Sequence, residues 1–374
     1  MSKEHQAKST EKAQPAKPAI EPQGLGLEAE TFGLLPGIPP GNIHAVPPPL
    51  RPRQVTRLQR LSGNQSVQRA LQTTVIQRDG GGGIGNTAPI PALPDPAARK
   101  AMAIDVLKKA YGGKIKEEVN IVGVDSEGAL RAEYDRSMMA QGKQFRETGP
   151  DGEETLRPWQ AGDANKHPDM KKEFAGFNDT SNGQIYVDLS KPPDEQTATI
   201  AHELLHASSS GNFVSVLGKG IDEGMTEKLT IDAFANSGYS VNSGMFVQWV
   251  TFANRLGAAF GDGVMKEAYF GGTAALRDAI NDRLGKGSFL KFTEAVRNQQ
   301  WDVVNDMITE GKVKVVEAIL DSWWVTDDDI AAIEEMYRGA IDLEKARIRA
   351  MIQAKIPELS SIGQRTRLRV LLAS

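Results

Sequence analysis

The chain has 374 residues, 40% of them hydrophobic and 25% charged, with a formal net charge of −4. That length supports one or two cores. No run of about 20 apolar residues is present to span a membrane, and the near balance of charge offers no general basis for binding nucleic acid. The absence of cysteine excludes a disulfide scaffold, a thiol nucleophile and thiolate-held zinc or iron–sulfur clusters, so any metal must be held by His, Asp or Glu.

Met1 to Ile20 is polar and lacks an apolar core segment, so neither a secretory signal peptide nor an Arg-rich transit peptide is expected. Thirteen of the twenty prolines precede residue 96, and Phe32 is the sole aromatic residue of that stretch. Such a segment cannot bury enough apolar area to offset its ordering entropy. Residues 1–95 are therefore read as a Pro/Gly-rich, basic, disordered leader, with ten Lys/Arg against seven Asp/Glu. Within it a short amphipathic helical segment is expected near 53–77, where Val55, Leu58, Leu61, Val67 and Leu71 keep helical spacing around Ser62-Gly63-Asn64. A docking helix and a solvated linker fit this pattern equally.

The pattern turns globular at Ala97. A helix is predicted from Ala97 to Tyr111, stopped by Gly112-Gly113, and a strand near Val119 to Val124. Residues 140–183, rich in Gly, Asp, Asn and Lys, read as long loops. Gln184 to Leu189 is β-prone and bounded by turn residues. Beyond Pro193, Asp194 is placed to cap a helix that carries Ile200, Ala201, Leu204 and Leu205 and ends at Ser208 to Gly211. Further helices are predicted over about 222–235, 243–260, 262–269, 273–284, 287–297 and 300–309, and a capping box at Thr326 to Asp329 opens another that ends near Gly339.

His202-Glu203-Leu204-Leu205-His206 puts two imidazoles one helical turn apart on a single face, close enough to share a cation, with Glu203 beside them. A catalytic zinc site needs a third protein ligand. The segment Ile221-Asp222-Glu223-Gly224-Met225-Thr226-Glu227 offers carboxylates at the start of another predicted helix, and Glu223 is the choice. Glu227, one turn later on the same face, is placed to accept the second ring N–H of a ligating histidine.

These residues resemble the gluzincin clan of zinc metallopeptidases, in which His-Glu-x-x-His on one helix is followed by a ligand Glu in a short Glu-Gly-like turn on the next. The resemblance covers about 45 residues, and the matching positions are His202, Glu203, His206 and Glu223. It implies an α+β, zincin-like catalytic domain over 96–310 binding one Zn2+. Glu227 would hold His202, and the strand Gln184, Ile185, Tyr186 and Val187 would bind extended substrate along its edge. The spacing before Glu223, slightly shorter than in the best-known members, leaves Glu227 open as the ligand instead. The mechanism implied is peptide hydrolysis by water whose pKa the zinc lowers toward ~7, with Glu203 taking its proton and passing it to the leaving amine. A second oxyanion donor is needed. Tyr269 is favoured for it, with Tyr239 and His167 as alternatives.

Val55 to Gln72 is similar to a segment of proteins associated with extracellular contractile injection systems, phage-tail-like particles of bacteria. This implies that the leader loads or tethers a toxin-like metallopeptidase, made in the cytoplasm without a signal peptide and delivered by the particle outside or into a target cell. A non-enzymatic cargo or particle component that retains a relict metal site is the alternative, and a cell-wall peptide is an alternative substrate to a protein. Residues 311–374 are read as a helical subdomain that packs Trp323-Trp324 against the catalytic domain.

Overall fold

A computed structural model describes residues 87–148, 153–167, 174–241, 246–322 and 325–373. The amphipathic segment near 53–77 and the Trp323-Trp324 pair lie outside the described residues. The fold is α+β and mainly helical. The leader assignment stops short of residue 95: Ala88–Pro89 (β1) pairs in parallel with Tyr239–Ser240, and Ile90 is buried in the main core.

The first helix, Pro96–Tyr111 (α1), begins where Asp95 accepts the Ala97 N–H and Pro96 supplies a preset φ, and it ends at Gly112 with φ +62°. It leads into Asn120–Val124 (β2) and Glu127–Ala140 (α2), the latter capped by Ser126. The 140–183 stretch is not the run of loops expected. It holds a hairpin of Gln144–Thr148 (β3) and Glu154–Pro158 (β4), then Gly176–Asp179 (β5). Both hairpin strands are mostly polar, and diagonal ion pairs join them, Arg146 with Glu154 and Arg157 with Glu147, each at 3.0 Å. With Phe145 and Leu156 the one apolar residue of each strand before Pro158, hydrophobic periodicity has little to register there.

Gln184–Asp188 (β6) is the middle strand of a three-stranded sheet in the order β2-β6-β5, parallel to β2 and antiparallel to β5. Its alternation fills two layers. Ile185 and Val187 enter the main core beneath the helix Pro193–Ser208 (α3), while Tyr186 packs with Phe177 and Leu130 on the α2 side. The expectation that Gln184 to Val187 offers an edge to substrate is thus corrected: both edges of β6 are already hydrogen-bonded, and three of its four named side chains are buried.

At the start of α3, Pro192 and Pro193 set the chain direction; Asp194 makes no side-chain cap and contributes only its charge to the first turn. The next helix, Gly211–Asn236 (α4), begins a full segment before residue 222 and is broken at Gly218, where φ 79° and ψ 160° demand glycine. After Tyr239–Ser240 (β7) follow Val247–Phe260 (α5), Asp262–Gly271 (α6), Ala274–Leu284 (α7), Ser288–Arg297 (α8) and Trp301–Leu320 (α9). The α9 helix joins two cores. Its Trp301, Val304 and Ile308 belong to the main one, while Val313, Val316 and Leu320 belong to a second formed with Asp327–Arg338 (α10), Asp342–Lys355 (α11) and Ile362–Ala373 (α12). The 310/311 division thus falls inside a continuous helix, between the last residue given to one core and the first given to the other. The capping box that opens α10 is present, with Asp329 N–H donating to Thr326 Oγ1 at 3.1 Å and Thr326 N–H donating to Asp329 Oδ2 at 2.8 Å. Among the described residues no helix is long and apolar enough to cross a membrane.

Candidate metal centre

Helices α3 and α4 lie against each other and build the site between them. On α3, helical spacing stacks His202 and His206 with ring centroids 4.8 Å apart. On α4, the turn 222–227 brings Asp222, Glu223, Thr226 and Glu227 up to those rings. Gly224 allows this approach on the other side of the helix, where a Cβ would meet the Trp249 backbone at 2.3 Å.

Each histidine is held through its Nδ1. His202 Nδ1–H donates to Glu227 Oε2 at 2.9 Å, and His206 Nδ1 lies 3.0 Å from Asp222 Oδ2. In the neutral rings both Nε2 atoms then carry the lone pairs, and they point inward. They lie 3.1 Å apart, and Glu223 Oε2 lies 3.1 Å from one and 3.3 Å from the other. Three acceptors at such range repel one another unless a cation sits among them. Donors held about 2.0–2.1 Å from a tetrahedral zinc stand about 3.3–3.4 Å apart, close to the separations seen. His202, His206 and Glu223 form the group among the described residues that could hold a metal ion. Glu227 faces the opposite edge of His202, which places it behind the ligands and leaves the third position to Glu223.

The titration behaviour reflects the same concentration of carboxylates. Burial disfavours charge on His202, but hydrogen bonds to Glu223 and Glu227 outweigh it and raise the ring from an ordinary 6.5 to about 9. For His206, burial is likewise overcome by Glu223 and Asp222, and its pKa lies well above the usual value. Burial would raise Glu223, yet His206, His202 and the more distant Lys219 hold it well below the carboxylate range. Without a metal, protons occupy the place that the charge pattern prepares for a cation.

Glu203 is buried beside these ligands, and desolvation raises its carboxyl against the opposing pull of His206 and His202. The backbone N–H of Asn178 on β5 adds a smaller pull in favour of its charged form. Asp188 N–H donates to Ala175 O and Gly183 N–H to Asp179 O, so the alternate residue Asn178 turns its amide away from β6. The strand fits closely: a Cβ at Gly176 would stand 2.6 Å from Thr199 Cγ2, 2.8 Å from Tyr186 O and 3.8 Å from Glu203 Cγ. The strand edge at the site is therefore that of β5, which polar composition and shortness hid from the sequence reading.

Tyr269, expected as the oxyanion donor, is fully buried on the far side of His206. Its hydroxyl donates to Thr226 Oγ1 at 2.7 Å; Thr226 in turn donates to Asp222 O at 2.8 Å and lies 3.3 Å from His206 Nδ1. That is the edge of the ring opposite Nε2, and burial pushes the Tyr269 pKa well above normal. Tyr239, on β7, follows the end of α4, roughly 20 Å along the helix from Glu223 at 1.5 Å per residue. His167 packs edge-on to Phe145 and beside Trp159; burial and the charge of Lys219 lower its pKa to about 4, so the ring is neutral. Lys219 Nζ in turn lies 3.9 Å from Glu223 Oε1.

Asp222, Thr226 and Phe246 were not assigned from sequence. Asp222 carried a signal, a carboxylate adjoining Glu223, but Phe246, stacked on His202 at 5.8 Å and 16°, carried none because it comes from a separate segment. Comparison with protein families, curated proteins and solved structures gives no match to this chain.

Proposed function

We propose that the chain is a zinc-dependent metallopeptidase, on the observation that the Nε2 atoms of His202 and His206 and Oε2 of Glu223 converge to 3.1–3.3 Å with Glu203 buried beside them. The donor set, two neutral imidazoles and one carboxylate, suits Zn2+, and three protein ligands are the number a catalytic zinc site uses. When bound, the ion supplies Lewis-acid polarisation of the substrate carbonyl and acidifies water.

The remaining chemistry falls to the side chains. Glu203 is the base: its raised carboxyl suits a group that takes a proton from the attacking water and returns it to the departing amide nitrogen as the C–N bond breaks. Glu227 and Asp222 keep both rings in the Nδ1–H form, so that their Nε2 lone pairs stay directed inward. An extended peptide added to the outer edge of β5 passes in front of Glu203, with backbone hydrogen bonds setting its register.

The test is elemental zinc content together with hydrolysis of a broad peptide library, for wild type and Glu203→Gln. One zinc per chain in both, with hydrolysis by wild type alone, is the expected result. Zinc that does not bind even after reconstitution overturns the reading, as does a Glu203→Gln variant that cleaves as fast as wild type.

A further inference from the structure

Lys219 is the first residue after the break at Gly218. A lysine there is poorly placed by local rules: a cation in the opening turn of a helical segment opposes the dipole, and lysine preceding glutamate by four residues is the weaker order of that pair. Departures from local preference that persist are expected where a site is served. Its ammonium stands 3.9 Å from Oε1 of Glu223, the oxygen turned away from the histidines, while Oε2 is the atom 3.1 Å from His206 Nε2 and 3.3 Å from His202 Nε2. The two oxygens of one carboxylate thus have separate roles.

The surrounding charge gives this division a purpose. Asp222, Glu223, Glu227 and Glu203 all lie at or beside the centre, more negative charge than a divalent ion cancels. A carboxylate in such a place can chelate through both oxygens, which tightens the metal but fills the position that water and substrate need. We propose that Lys219 is a positioning residue that holds Glu223 to coordination through Oε2 alone, by occupying Oε1 with its positive charge, and so keeps the centre open and its ion strongly Lewis-acidic. The lysine does not touch substrate; it acts through Glu223. The break at Gly218 is what aims it, because the helical segment restarts with Lys219 one turn before the ligand and on the ligand's face.

This inference rests on the metal-site reading above, and its test does not require turnover. The full-length protein is loaded with Co2+ as wild type, Lys219→Met and Lys219→Arg, and the visible d–d spectrum and Co2+ affinity are measured. Wild type is expected to give the intense bands of a tetrahedral site. In Lys219→Met the bands weaken toward a five-coordinate spectrum and Co2+ binds roughly fivefold more tightly, a change typical of removing one partly exposed charge. Lys219→Arg restores the wild-type spectrum. Identical spectra and affinities for wild type and Lys219→Met overturn the role of Lys219 and leave the metallopeptidase reading standing. Failure of wild type to bind Co2+ or Zn2+ overturns both.

Discussion

His206 and Asp222 form a fixed pair, with Nδ1 of the ring 3.0 Å from Oδ2 of the carboxylate and both residues largely buried. The pair determines which nitrogen of His206 is left for a metal. Asp222→Ala removes the acceptor, frees the ring to rotate or change tautomer, and is expected to weaken metal affinity by about 10- to 100-fold. Asp222→Asn keeps a carbonyl oxygen at that position, and its loss is expected to be smaller. Competition with a chromophoric chelator measures both, and an alanine variant that binds as tightly as wild type contradicts the assignment.

Metal uptake is expected to depend steeply on pH. In the metal-free chain burial is outweighed by Glu223 and Glu227 and His202 is raised to about 9, so metal binding at lower pH displaces its proton, and affinity rises about tenfold per pH unit for each proton displaced. The same proton stabilises the metal-free fold. Because it is bound more tightly in the folded chain than at the ordinary 6.5, its contribution is full below 6.5 and is lost as the pH rises through about 9. Thermal unfolding of metal-free protein across that window is expected to show a falling midpoint. A rising midpoint is the contrary result.

Tyr269→Phe separates support from catalysis. Removing the hydroxyl deprives buried Thr226 of a donor, with an expected stability loss of about 1–2 kcal/mol. Turnover is expected to stay within about threefold of wild type, since the hydroxyl lies behind His206, whereas loss of a group acting on the transition state costs about 100-fold or more. Denaturant unfolding and steady-state kinetics on one preparation decide between them.

Glu344 on α11 ties the second core to the first. Its Oε1 accepts Arg255 Nε at 2.8 Å, its Oε2 accepts Lys312 Nζ at 2.7 Å, and it is completely buried. Glu344→Ala leaves two buried cations without their anion and is expected to cost about 3–5 kcal/mol. Lys312, whose pKa burial already lowers against the pull of Glu344, then gives up its proton more readily. Hydrogen exchange is expected to show the α10–α12 helices losing protection before the main core, and uniform loss across both contradicts the tie.

The parts of the centre legible in the sequence are those set by one helix at a time. The spacing of His202 and His206, Glu203 between them, and Glu223 with Glu227 one turn on follow from 3.6 residues per turn, and they needed no knowledge of the fold. The helices α1, α3 and α5 through α8 were legible for the same reason. The β3–β4 hairpin and β5 were not, because these strands of four or five residues hold a single large apolar residue each, too few to show alternation, and the hairpin is joined by ion pairs and backbone hydrogen bonds.

Tertiary packing decided the rest. The partners β2 and β5 flank β6 and close the edges that its sequence left open. Tyr269 sits behind His206 because α6 docks against α4 with its aromatic ring inward, next to Phe213. Lys219 reaches Glu223 because a single glycine breaks α4 just before it. The sequence alone determined which groups could bind a metal, since that depends on local helical geometry. Which of them converge, which stand behind the converging atoms and which strand lies beside Glu203 depends on contacts between segments distant along the chain, and those contacts exist only once the cores are packed.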